Sequence, residues 1–180
     1  MGPGMLDMVT NAHTPAMPAA FRIINNNPSM HVFSNRGSAL GFDFGEKRVG
    51  VAVGEHLLGI AHPLTTIETE ANAERFEVIQ ALVDEWNPSV LVVGLPCHMD
   101  GTPHAMTALS EKFARRLDGR FKLPVVMLDE RLTSAEAAHT LREAGIAGSR
   151  HKPLVDQVAA QHILQSYFDA WSSHPQGNMQ

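Results

Sequence analysis

The stretch Val90-Leu-Val-Val-Gly-Leu95 lies between Pro88 and Pro96 and carries no charge. A run this apolar and this short fits a strand buried on both faces, as in a parallel sheet covered by helices on either side. Pro124-Val-Val-Met-Leu128 repeats the pattern further along. Parallel neighbours need a long crossover, and between the two runs Met106, Leu109, Phe113 and Leu117 recur at helical spacing. From Ala73 to Trp86, ahead of the first run, Phe76, Ile79, Leu82, Val83 and Trp86 fall on one side of another helix. This alternation restricts the chain to an α/β architecture with right-handed crossovers.

Three shorter strand signals precede it: Ala39 to Gly45, Arg48 to Gly54, and Leu57 to roughly Thr69, with room between them only for hairpins. In the second, Val49, Val51 and Val53 alternate with small residues. After the second buried run, Thr133 with Glu136 forms a capping-box signature for a helix to about Ala144, and Lys152-Pro153 opens a last helix ending near Trp171. The expected fold is a mixed five-stranded sheet, three antiparallel strands and then parallel ones, with helices on both faces. Residues 1–37, with Pro3, Pro15, Pro18, Pro28 and Asn25-Asn26-Asn27, read as a disordered leader. Residues 172–180 read as a flexible tail, leaving 38–171 as the working domain.

Composition narrows the function classes. One cysteine in 180 residues, Cys97, excludes a disulfide framework and a multi-cysteine zinc site. No apolar run approaches the roughly 20 residues that cross a bilayer, and the start lacks a basic-then-apolar secretory pattern, so a cytoplasmic location is expected. The net charge of −5 argues against coating nucleic acid by bulk charge. The charge is divided, however. Residues 39–111 hold 3 Lys+Arg against 11 Asp+Glu, whereas residues 112–152 hold 9 against 5.

Three acids stand where a core would not want them. In the first strand Leu40, Phe42 and Phe44 share one face, and Asp43 shares the other with Ala39, Gly41 and Gly45, a face lined by almost nothing. Asp43 therefore needs a cation, donors or solvent; the competing reading is an exposed aspartate at a strand end. Asp156 shares a helix face with Ala159, Ala160, Ile163 and Tyr167, although an acid in a first helical turn is also favoured by the helix dipole. Asp129-Glu130-Arg131 closes the second buried strand, and alternation lets only one of the two acids look at a given site. All three positions lie at strand ends or helix starts, the edge where open α/β sheets build sites. Converging carboxylates call for a hard divalent cation such as Mg²⁺, which favours phosphoryl chemistry.

Gly41-Phe-Asp-Phe-Gly-Glu-Lys-Arg-Val-Gly-Val-Ala-Val-Gly54, Val92-Val-Gly-Leu-Pro96 with Met99-Asp-Gly-Thr102, Leu128-Asp-Glu-Arg-Leu-Thr-Ser134, and Lys152 with Val155-Asp156 together resemble the YqgF/RuvX family over residues 38 to 171. These RNase H-like proteins are regarded as pre-16S rRNA nucleases and as relatives of Holliday junction resolvases. The resemblance implies an RNase H-like sheet and an acidic catalytic site of Asp43, Glu130 and Asp156 holding one or two Mg²⁺ or Mn²⁺ ions, with Glu130 chosen over Asp129. Lys47, Arg48, Arg131 and Lys152, all adjacent to that site, are expected to contact substrate phosphates. Cys97-His98 departs from the family pattern after Leu95-Pro96.

Asp43-Phe44-Gly45 also spells the metal-binding tripeptide of protein kinases, but no accompanying kinase motif is present and the chain is too short for two lobes. Actin-like ATPases share the strand-turn-strand start and need a second phosphate-binding half that this chain lacks. His98, His104 and His151 are candidates for phosphate contact, though a lone histidine is more often a surface or packing residue. The leading expectation is a metal-dependent endonuclease acting on RNA in 5′-end maturation of pre-16S rRNA, as a monomer or homodimer. The alternatives are a resolvase acting on branched DNA and a non-catalytic nucleic-acid-binding module.

Overall fold

A computed structural model describes residues 21–24, 36–98, 100–130 and 152–173. Six strands and three helices lie in these residues: β1 (Phe21–Ile23), β2 (Ser38–Phe44), β3 (Val49–Glu55), β4 (Ile60–Ile67), α1 (Asn72–Trp86), β5 (Val90–Leu95), α2 (Ala105–Phe121), β6 (Val125–Asp129) and α3 (Lys152–Ser173). The strands form one sheet in the order β1-β6-β5-β2-β3-β4. β2, β5 and β6 are mutually parallel, while β3 and β4 continue as antiparallel hairpins. This is the mixed α/β arrangement expected from the sequence, with one correction. Phe21–Ile23, which the sequence places in a leader, adds a sixth strand antiparallel to β6. Three residues are too few to show a period; their order comes from the open edge of β6, which offers unpaired backbone groups. The helix expected between Thr133 and Ala144 lies outside the described residues.

The third strand is shorter than expected, because residues 56–59 form the hairpin turn, with Gly59 at φ +64 and its N–H donating to the Glu55 carbonyl at 2.9 Å. α1 ends on Asn87 in the left-handed region (φ 43), its N–H bonded to the Val83 carbonyl. α2 begins with a capping box. His104 Nδ1 accepts from the Met106 N–H at 3.1 Å, and the His104 N–H donates to Thr107 Oγ1 at 2.7 Å. No helix among the described residues is long and apolar enough to cross a membrane.

Strand alternation sorts the sheet into two unlike faces. Leu40, Phe42, Val51, Leu91, Val93, Val125 and Met127 point to one side, where Phe76 and Ile79 of α1 and Phe113 and Leu117 of α2 cover them. Ala39, Ala52, Ala61, Val90, Val92, Val126 and Leu128 point to the other, under Ala160, Ile163, Leu164, Tyr167 and Phe168 of α3. Two glutamines fasten α3 to the outer strand: Gln161 Nε2 donates to the Ala61 carbonyl at 3.0 Å and Gln165 Nε2 to the Gly59 carbonyl at 2.8 Å. These bonds satisfy backbone groups that the edge strand β4 and the turn before it would otherwise leave to water.

Candidate active site

The site grows out of the α3 face because that face is nearly bare. A Cβ added to Gly41 would stand 2.8 Å from Leu164 Cβ, and one on Gly54 would stand 2.6 Å from the Phe168 ring. At these glycines α3 rests directly on strand backbone, between the side chains of Val90, Val92, Val126 and Leu128. At Gly50 the approach is closest, and an added Cβ would run into the Asp156 carbonyl. Gly50 is the register partner of Asp43 across the β2–β3 pair. Seating the first turns of α3 on Gly50 thus carries Asp156 to the end of the sheet where Asp43 emerges.

Glu130 reaches the same place from β6. Val126 and Leu128 face α3, so alternation sends Glu130 to that side and Asp129 to the other. Gly94 of β5 makes room for it, since a Cβ there would overlap Glu130 Oε1 and stand 2.6 Å from Ile163 Cδ1. Burial pushes the Asp43 carboxyl up to about 8, and the charges of Glu130 and Asp156 add to the effect. Burial, then the neighbouring Asp129, pushes Glu130 up to about 7. Asp43 is thereby within electrostatic range of both other acids.

The cations named from the sequence are distributed differently. Arg48 Nε donates to Asp156 Oδ2 at 2.7 Å, an ion pair between residues 108 apart in the chain. Lys47 and Lys152 are exposed. Arg131 lies outside the described residues. Arg48 stands on a rigid mount. In the β2–β3 turn Gly45 leaves no room for a side chain against the Arg48 carbonyl, 2.7 Å from an added Cβ. From α1, Arg75 Nη2 donates to the Glu46 carbonyl at 2.7 Å and to the Thr69 carbonyl at 2.8 Å, with its guanidinium over the Phe44 ring.

Arg75 was not among the residues expected to matter, yet it is only 3% exposed. A signal for it exists: it sits four residues before Ile79, on the apolar face of α1. Of the histidines, His104 caps α2, and its ring centroid lies 5.1 Å from that of His98. The basic cluster of α2 is partly structural, since Arg120 stacks on Phe76 and Arg115 pairs with Glu111 at 3.9 Å.

Asp43 and Glu130 supply hard oxygen donors at one end of the sheet, which fits a divalent ion held by one or two carboxylates with water and phosphate oxygens. With Asp156 engaged by Arg48, no group of three His, Cys, Asp or Glu side chains among the described residues is arranged to hold a metal ion.

A sequence model of the RuvX family, described as Holliday junction resolvase, matches residues 37–170. A protein of Methylobacillus flagellatus named "Putative pre-16S rRNA nuclease" is 64% identical over 140 residues, covering 78% of this chain and 96% of the relative. A protein of the same name from Nitrosomonas europaea is 53% identical over 136 residues, covering 76% and 92%. Among solved structures, "T. thermophilus RuvC in complex with Holliday junction substrate" aligns at a TM-score of 0.46 and 19% identity, over 77% of this chain and 97% of that one.

Proposed function

From the premise that this chain belongs to the RuvX family of nucleases, we propose that it is a metal-dependent endonuclease that hydrolyses phosphodiester bonds of RNA in 5′-end maturation of pre-16S rRNA, in the cytoplasm, through residues 38–171. The observation that carries this reading is the approach of Asp43, Glu130 and Asp156 to one end of the sheet, on a face whose glycines leave room for little else. Burying acids costs stability, and strongly perturbed carboxyls cluster at functional sites.

When bound, Mg²⁺ or Mn²⁺ supplies charge neutralisation at the phosphoryl group and lowers the pKa of water for in-line attack. Asp43 and Glu130 would hold the ion first, with Asp156 joining on release from Arg48. The chain's own work is positional. β2 carries Asp43, Glu130 directly follows β6, and the packing of α3 limits solvent access beneath them. Lys47, Arg48, Arg131 and Lys152 anchor phosphates on either side of the scissile bond and set register rather than sequence preference.

The test is incubation of the wild type and Asp43→Asn with precursor 16S rRNA, unstructured RNA and a four-way DNA junction, each with Mg²⁺, with Mn²⁺ and with chelator. Precursor RNA should be cut only with metal, and Asp43→Asn should lose roughly 10²–10³-fold or more in rate. Cleavage by Asp43→Asn at the wild-type rate would overturn the assignment of the site. Cutting of the junction alone would move the substrate to branched DNA. Tight RNA binding indifferent to chelator, with no cutting, would make the protein a binding module.

A further inference from the structure

Arg48 occupies a position that its expected role does not explain. A phosphate-binding arginine at the rim of a nuclease site should offer its guanidinium to solvent and substrate. Here Nε is bonded to Asp156 at 2.7 Å, with the two side chains only 31% and 23% exposed. The pair has no slack in its backbone. Arg48 comes from a turn pinned by the Arg75 bond to the Glu46 carbonyl, and Asp156 belongs to a helical turn lying directly on Gly50. Only the side chains can rearrange.

Charge explains why they would. Asp156 stands with Asp43 and Glu130 at one end of the sheet, and the guanidinium of Arg48 is its charge partner. A dication held by Asp43 and Glu130 would place a second positive charge beside Asp156, in competition with the guanidinium. Asp156 is then drawn toward the ion, while the guanidinium next to it is repelled. An incoming RNA phosphate offers that guanidinium a replacement anion, whose two non-bridging oxygens can accept a pair of N–H bonds.

We propose that Arg48 is an exchangeable counter-ion, holding Asp156 in the metal-free protein and passing to an RNA phosphate when a divalent cation binds, so that the arrival of metal and of substrate are coupled. The exchange conserves charge: the guanidinium stays protonated throughout and trades one oxyanion for another. The inference rests on the nuclease reading above and assigns Arg48 a positioning role in it. Coupling of this kind makes metal and RNA mutually reinforcing, since each removes the competitor of the other.

The direct probe is the Arg48 Nε–H signal in a ¹⁵N-correlated NMR spectrum of the full chain, assigned by its loss in Arg48→Lys. It should shift on addition of Mg²⁺ and shift again when a phosphorothioate RNA that resists cutting is added. In parallel, Mn²⁺ affinity is measured by calorimetry without RNA. Arg48→Gln should bind Mn²⁺ roughly tenfold more tightly than the wild type, and its effect should vanish in an Asp156→Asn background. Lys47→Gln removes the same charge from the same turn without touching Asp156, and should move the affinity much less.

Equal shifts in Arg48→Gln and Lys47→Gln would reduce the effect to bulk charge and overturn the exchange. So would an Nε–H signal that ignores metal and RNA. Wild-type cleavage with Mn²⁺ alongside an unchanged Mn²⁺ affinity in Arg48→Gln would sink the exchange and leave the nuclease reading standing. A wild type that neither binds Mn²⁺ nor cuts RNA would sink both.

Discussion

The two faces of the sheet are built from the same strands and solve packing in opposite ways. Toward α1 and α2 the strands present Leu40, Phe42, Val51, Leu91 and Met127, each 0% exposed, and the helices meet them with Phe76, Ile79, Phe113 and Leu117. That face is held by filling volume. Toward α3, Val90, Val92, Val126 and Leu128 of β5 and β6 are joined by Ala39, Gly41, Gly50, Ala52, Gly54 and Gly94, and at the glycines the helix comes down onto the backbone. A filled face tolerates small readjustments of its side chains; glycines under a helix fix it through backbone contact. The acids of the candidate site all stand on the second face, so precision of placement and chemistry coincide there.

Two substitutions test this contrast most sharply. Phe42→Ala, on the filled face, leaves a cavity and should cost about 3–5 kcal/mol in urea unfolding, while RNA cleavage per folded molecule stays near wild type below its lowered transition. Gly50→Ala adds one methyl group where only the Asp156 backbone can give way. Its stability cost should be smaller, about 1–3 kcal/mol, yet cleavage should fall on the order of 10²-fold because the first turns of α3 are displaced from Asp43. Should Gly50→Ala keep full cleavage, or folded Phe42→Ala lose it, the two faces would not divide stability from function in this way.

A smaller effect separates the faces by pH. Asp43 and Glu130 hold their protons to about 8 and about 7 in the folded chain, above their ordinary 3.8 and 4.5. Between the ordinary and the raised values the folded state binds more protons than the unfolded one, so stability decreases as pH rises. The contribution is fully present below about pH 4 and is lost as pH climbs through 7 to 8. In chelator, the Tm of the wild type should therefore decline from pH 5 to 8.5. Asp43→Asn should flatten that decline, and Phe42→Ala should keep the wild-type slope from a lower start. Identical slopes for Asp43→Asn and the wild type, read by calorimetry, would mean that Asp43 is not buried among acids as described.

The filled face was the easier one to read in the sequence. Val90–Leu95 is a strand in the structure over the same residues that the apolar run marks, and α1 follows the spacing of Phe76, Ile79 and Leu82. Period and volume are local properties, and they survive folding. The bare face was legible in part: Ala39, Gly41 and Asp43 already shared one side of β2. Alternation could not supply which side α3 would cover, so the pattern left Asp129 and Glu130 open and only the family resemblance chose Glu130. The Arg48–Asp156 pair joins two segments with no local pattern in common, and His104 as a helix cap falls outside the usual capping residues. β1 has no period at all, and its pairing is induced by β6.

β1 repeats the contrast between the faces at its smallest scale. Phe21 turns toward α3 and stacks on Tyr167 at 5.3 Å, whereas Arg22 turns toward α2 and pairs with Glu111 at 2.6 Å. The Arg22 side chain is 57% exposed, so solvent screens the pair and side-chain entropy opposes it. Arg22→Ala should cost only about 0.2–1 kcal/mol, and less in high salt. The Ile24 N–H, bonded to the Val125 carbonyl at 3.2 Å, reports on the strand by hydrogen exchange. Its protection should be nearly unchanged in Arg22→Ala and clearly reduced in Phe21→Ala, which removes buried aromatic area from the α3 side. The reverse ranking would mean that an exposed ion pair holds this edge and that the α3 face contributes nothing to β1. The measured order of these two variants therefore decides which of the two faces captures the strand.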